Sequence, residues 1–71
     1  MRRVRVEGRL AGDVVDELDQ LLAADPAGAC LELSNLRSAD ARGLALLRRL
    51  REEGATLRDV PPHLAWRIDA A

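Results

Sequence analysis

The chain has 71 residues, 48% of them hydrophobic and 32% charged, with a formal net charge of −1. A core this small rarely supplies more than about 3–5 kcal/mol of net stability, which confines the chain to one domain, 1–71, and makes extra burial against a partner or a second copy an expectation. The lone Cys30 excludes an internal disulfide, no second thiol offers a zinc cluster, and no basic start leads into a long apolar run; neither a signal peptide, a transmembrane segment nor a metal site is expected, and a reducing cytoplasm is the expected compartment.

The first strand is read from Arg3-Val-Arg-Val-Glu7, which alternates cleanly and turns Val4 and Val6 inward. Gly8 and Gly12 bracket a loop. From Asp13 the spacing becomes helical: Val14, Val15, Leu18, Leu21 and Leu22 share a face, Asp16, Glu17, Asp19 and Gln20 lie opposite, and Asp13 is the N-cap candidate. Ala23 to Gly28, with Pro26 inside, ends that helix. The next strand, Ala29–Leu33, puts Leu31 and Leu33 on one face and Cys30, Glu32 and Ser34 on the other, wetter one.

A polar loop of about six residues, a usual length between strand and helix, leads to a second helix entered at Asp40. Leu44, Leu46, Leu47 and Leu50 form its apolar stripe, leaving Arg42, Arg48, Arg49, Arg51, Glu52 and Glu53 for solvent. Gly54 is the expected C′ residue. Thr56-Leu-Arg-Asp-Val60 reads as a weaker third strand, and Pro61-Pro62 opens a short last helix, His63–Ile68, that buries Leu64 and Ile68. Trp66 either covers the end of the core or marks an interface. Because Arg3, Arg5, Glu7, Glu32 and Arg58 form one outward-facing set, the sheet should be open on one side. Right-handed crossovers taken in order then place every helix on the other side, an α/β one-sided right-handed βα superhelix with about three parallel strands.

Leu31 to Leu47, LELSNLRSADARGLALL, resembles the STAS domain (sulfate transporter and anti-sigma-factor antagonist), whose signature reads roughly LDLS, a few residues, then a D-S-S-G-L helix start. Val6-Glu-Gly-Arg-Leu10 is similar to that family's L-x-G-x-L strand end and Arg51-Glu-Glu-Gly54 to its helix exit, so the likeness spans Val6 to Pro62. It implies a superhelical α/β fold and a protein-binding regulatory role. The partner would be an anti-sigma kinase-like protein or a transporter ATPase subunit, met through Ser38, Asp40, Ala41, Arg42, Gly43 and Leu44.

In phosphorylated members the motif's second serine takes the phosphate, where the helix dipole and free N–H groups meet the new charge. Matched onto Asp40-Ala41-Arg42-Gly43, that position is Arg42, which has no hydroxyl. A cation at a helix start is slightly unfavourable, by about 0.3–1 kcal/mol when exposed, so Asp40 or a partner's acid is expected to compensate it. Asp40 reads as a helix cap, and Gly43 as a site of close packing or close approach.

Other functions lack their parts. Catalysis would need Cys30 or Ser38 beside a base, and the only histidine, His63, lies far along the chain. Glu32, Asp40 and Asp59 could gather at strand ends, yet no glycine-rich phosphate loop accompanies them. No enzyme, no cofactor and no membrane insertion are expected. Residues 1–35 carry a charge of −3 and residues 36–71 a charge of +2; without Tyr or Phe there is no stacking platform, and nucleic acid is not an expected partner. The alternatives are a small-ligand or nucleotide-sensing STAS module, with an anion at the second helix's N-terminus beside Arg42, or an accessory subunit of a transporter. A homodimer is also expected, from the small core and unprotected sheet edges.

Overall fold

The computed structural model describes residues 2–69. In chain order they form β1 (Arg2–Arg5), β2 (Gly8–Leu10), α1 (Asp13–Leu22), a 3-10 turn (Pro26–Gly28), β3 (Ala29–Glu32), β4 (Leu36–Ala39), α2 (Ala41–Glu52), β5 (Thr56–Arg58) and α3 (Pro62–Asp69). The fold is α/β, with a parallel three-stranded sheet in the order β1-β3-β5.

Strand register sorts the side chains into two faces. Val4, Leu31 and Leu57 stand in one row across the sheet and pack into a single core with Val15, Leu18, Leu22, Leu44, Leu46, Leu47, Leu50, Leu64 and Ile68. All three helices therefore cover the same face. The neighbouring rows, Arg3-Cys30-Thr56 and Arg5-Glu32-Arg58, point the other way. There Glu32 lies 3.7 Å from Arg3 and 3.9 Å from Arg5. Cys30 departs from the reading of a wet face: on the central strand, between Arg3 and Thr56, it is buried.

Two stretches expected to be loops are strands. Gly8–Leu10 and Leu36–Ala39 pair in parallel as a separate two-stranded unit, with a register shift between Gly8 and Arg9. The segment between β3 and α2 thus contains β4, which buries Leu36 and Ala39 and exposes Arg37 and Ser38.

Helix α1 differs from expectation at its start and along its flank. Gly12, with φ of 57°, occupies the N-cap and offers no side-chain cap, and Asp13 is instead the first helical residue. Of the five apolar residues read as one face, Val15, Leu18 and Leu22 are buried while Val14 and Leu21 remain 43% and 48% exposed. An arc that wide exceeds what one helix-to-sheet contact covers.

The end of α2 is as expected. Gly54, at φ of 105°, donates its N–H to the Arg51 carbonyl, and the Ala55 N–H reaches the Leu50 carbonyl at 2.9 Å. This Schellman arrangement needs a left-handed residue, which only glycine adopts without cost. In α3, the Pro61 carbonyl accepts from Leu64 and Ala65, and Leu64 and Ile68 face the core.

Helix α2 is the centre of the helical layer, and its arginines hold both neighbours rather than standing free. Arg42 pairs with Asp16 and Arg49 with Asp19, both on α1. On the other flank Arg51 pairs with Asp69, and Arg48 donates to the carbonyls of Ile68 (2.9 Å) and Arg67 (3.2 Å). Those carbonyls belong to the last turn of α3, where a guanidinium supplies the missing donors.

Candidate functional site

The start of α2 is built on the small β2–β4 pair. Asp40 follows β4 directly; its N–H donates to the Leu10 carbonyl at 3.1 Å, and its carbonyl accepts from Leu44 at 2.9 Å. The Asp40 carboxylate turns back and accepts the Gly43 N–H at 2.7 Å. An extended residue whose side-chain oxygen takes the third N–H of the helix is an N-cap, and it satisfies a donor with no intrahelical partner.

Gly43 is explained by the same strand. A Cβ on it would stand 2.5 Å from the Leu10 carbonyl oxygen and 3.0 Å from Leu10 Cγ. The missing side chain thus serves helix-to-strand packing. Leu44 beside it is also buried, so Gly43 and Leu44 anchor the helix start to the core. Ser38, Ala41 and Arg42 form the exposed part of the predicted site, with Asp40 half-buried beneath them.

Arg42 finds its counter-charge on another helix. Its Nη2 donates to Asp16 Oδ1 at 2.6 Å, whereas Asp40 is engaged with Gly43. Both members of the Arg42–Asp16 pair are more than half exposed, so the pair orients the guanidinium more than it stabilises the fold.

Two concave regions escape a reading of the sequence alone, one at the entry to β4 and one beside the start of α2. The first is a cleft of about 530 Å³ lined by Glu7, Gly8, Ser34, Asn35, Arg37 and His63 among others. It lies where β1 and β3 end and α3 begins, the carboxyl side of a parallel sheet, where open α/β folds bind ligands. Its rim is held together by the Gly8 N–H on the Asn35 carbonyl at 3.0 Å and by His63 Nε2 at 2.8 Å from the Arg37 carbonyl, which makes Nε2 the protonated ring nitrogen. Polar residues clustered after successive strands were the available signal.

The second region is a groove of about 370 Å³ between α2 and α3, lined by Ala41, Leu44, Ala45, Arg48, Trp66 and Arg67. Trp66 is 65% exposed, so it does not cover the core. Alanines at 41 and 45, one turn apart, leave the space beside it.

Cys30 is buried on the central strand and Ser38 lies on β4, while the His63 ring is hydrogen-bonded at the Arg37 carbonyl. Among the described residues no group of three or more His, Cys, Asp or Glu is gathered as a metal site, and no helix is long and apolar enough to cross a membrane.

Comparison with protein-family models, with curated proteins and with solved structures finds no match to this chain.

Proposed function

We propose that the chain is a non-enzymatic, protein-binding regulatory module of STAS type, which docks a partner on the exposed start of α2. The observation that carries this reading is the division of labour at that start. Asp40, Gly43 and Leu44 fix the helix to β2 and the core, while Ser38, Ala41 and Arg42 are held outward on a preformed surface. Preorganisation of this kind lowers the ordering cost of association.

The fold is compatible with the finer architecture that the resemblance implies. Parallel strands in the order β1-β3-β5, with α1 and α2 in the two crossovers on one face, are what a right-handed βα superhelix requires. The mechanism is reversible docking: an anti-sigma kinase-like protein or a transporter ATPase subunit is sequestered or scaffolded by occupancy of this face.

The test is a titration of the purified chain against an anti-sigma kinase-like protein encoded beside it, read by calorimetry. Ala41→Glu adds an acid to the first turn, where the helix dipole favours it, so the variant stays folded while the docking face loses its net positive charge. Loss of binding in Ala41→Glu, with Arg3→Ala on the opposite sheet face binding as wild type, is the expected result. Equal binding by both variants would remove this face from the interaction.

A small-ligand reading is favoured by one observation, the polar cleft at the strand ends. The start of α2 is less suited to an anion than expected, since the Gly43 N–H is taken by Asp40 and Arg42 by Asp16. Arg37, Asn35, Ser34 and His63 would supply the contacts instead. Titration with nucleotides and inorganic phosphate, followed through the amide signals of Ser34 to Arg37, separates the two readings.

A further inference from the structure

The exposed large apolar residues fall on two opposite flanks of α2. On one side Trp66 stands beside the α2–α3 groove, whose charged lining is Arg48 and Arg67. On the other side Val14 and Leu21 flank a shallow groove of about 180 Å³ on α1, with Val6 and Leu18 at its floor and Glu17 as its charged residue. Val14, Glu17 and Leu21 recur at helical spacing on one face, and Asp13 lies one turn before Glu17. Both patches are apolar; the first is rimmed by cations, while the second carries Asp13 and Glu17 along its length and meets the Arg2 guanidinium only at its far end, where Arg2 donates to the Leu21 carbonyl at 2.8 Å.

That pairing of signs decides how copies of the chain can meet. Setting the Trp66 groove against itself would bring arginines together, and setting the α1 face against itself would oppose Glu17 with Glu17. Like-charge juxtaposition works against both two-fold arrangements. Bringing one face to the other instead gives Trp66 an apolar seat and matches Arg67 with Glu17. Arg67 forms no ion pair with an acid among the described residues, and neither does Glu17 with a cation. Arg48 keeps its charge while bound to two carbonyls.

We propose that this chain self-associates head to tail, with Trp66 and the α2–α3 groove of one copy seated on the Val14–Leu21 face of α1 in the next. The contact is heterologous: each copy uses one face and leaves the other free, so growth continues past the dimer into a ring or a short filament. Both patches are small, which places the contact among weak, concentration-dependent associations. The assembly covers Ala41 and Ala45, so it competes with docking of a partner on the start of α2. The proposal rests on exposure and charge alone and stands whether or not the regulatory reading does.

The test uses two end-blocked variants of the full chain, Trp66→Ala and the double variant Val14→Gln with Leu21→Gln, all at exposed positions. Wild type should show a sedimentation mass that rises with concentration from micromolar to millimolar and passes that of a dimer. Each blocked variant should sediment as a monomer, and their mixture should give a two-chain species and nothing larger. Because the chain has one tryptophan, emission from the mixture reports only Trp66 of the α1-blocked copy. That emission should shift to the blue on adding the Trp66→Ala chain. Circular dichroism checks that each variant is folded, and a charge swap supplies the second route: Glu17→Arg and Arg67→Glu should each weaken association, and one chain carrying both should regain it. A wild-type monomer at all concentrations, a mass that stops at the dimer, or a mixture without the emission shift would overturn the proposal.

Discussion

The carbonyl oxygen of Leu10 stands 2.5 Å from the point a Cβ on Gly43 would occupy. The same oxygen accepts the Asp40 N–H, so it cannot swing aside without releasing that bond. Helix propensity alone favours Gly43→Ala by up to about 1 kcal/mol. Contact with a fixed backbone atom reverses the sign, since overpacking of this kind costs typically about 1–3 kcal/mol. Urea unfolding of Gly43→Ala should show a lower midpoint at an unchanged slope; a raised midpoint would mean that β2 yields to α2.

Asp40 should contribute through its cap. Asp40→Ala leaves the Gly43 N–H without its acceptor, and loss of such caps costs about 0.5–2 kcal/mol. Asp40→Asn keeps a side-chain oxygen in the same place and should retain most of that stability. Denaturation of the two variants side by side separates the cap from the charge; equal losses would assign the effect to the carboxylate's charge on the helix dipole.

Leu33 and Leu47 are completely enclosed. Leu33→Ala and Leu47→Ala should each cost about 2–5 kcal/mol, the lost transfer energy plus the cavity left behind. In a domain of this size such a loss consumes most of the folding free energy. The variants should be compared in an excluded osmolyte that restores the folded baseline. A midpoint unchanged by both would displace Leu33 and Leu47 from the centre of the core.

Much of this arrangement is legible in the chain because period and punctuation agree. Val4, Val6, Leu31 and Leu33 alternate, Leu44 to Leu50 recur at helical spacing, and Asp40 and Gly54 mark the ends of α2 with the chemistry each end requires. Strands β2 and β4 escaped because three or four residues carry too little pattern to display a period, and because Gly8, Asn35 and Ser38 are turn formers. The exposure of Val14 and Leu21 escaped because periodicity says which residues share a face and not how wide a face the sheet can cover. The arginines of α2 looked like solvated charges for a related reason: their partners Asp16, Asp19 and Asp69 lie on other helices, at separations no local window spans. Within the candidate site, the cap and the close-packed glycine were readable from local rules, whereas the polar cleft arises only when the segments after three strands converge and the Trp66 groove only when α3 packs beside α2.

The arginines of α2 should differ in weight. Arg42 and Arg49 make exposed ion pairs with α1, and Arg42→Ala or Arg49→Ala should each cost less than about 1 kcal/mol. Arg48 is half-buried and supplies donors to two carbonyls at the end of α3. Hydrogen bonds to charged groups contribute about 1.5–3 kcal/mol, so Arg48→Ala should exceed either of the others. Its loss should also fray α3 first, visible as faster hydrogen exchange at Arg67 and Ile68. Equal, small costs for all three would mean that α3 is held by Leu64 and Ile68 alone.

In the proposed STAS-type role, regulation at the start of α2 would differ from the phosphate switch that such a role implies. A phosphate switch at the helix start needs a hydroxyl there, and the added charge of about −1.5 to −2 would act through the N–H groups and dipole of α2. Ala41 and Arg42 offer no hydroxyl, the Gly43 N–H is already bound to Asp40, and Arg42 carries a fixed positive charge held by Asp16. New negative charge at position 42 would face Asp16 across that short contact, so Arg42→Glu should lose the α1 tie as well as reverse the docking surface. In the proposed docking role, occupancy should then follow the concentration of the partner and not the action of a serine kinase. The measurement is to express the chain with its native kinases, map phosphate by mass spectrometry, and compare partner binding before and after phosphatase treatment. Unmodified α2 and identical affinities are expected. Stoichiometric phosphate on Ser34 or Ser38 that abolishes binding would show that the switch has moved, to the rim of the polar cleft for Ser34 or to β4 beneath the helix start for Ser38.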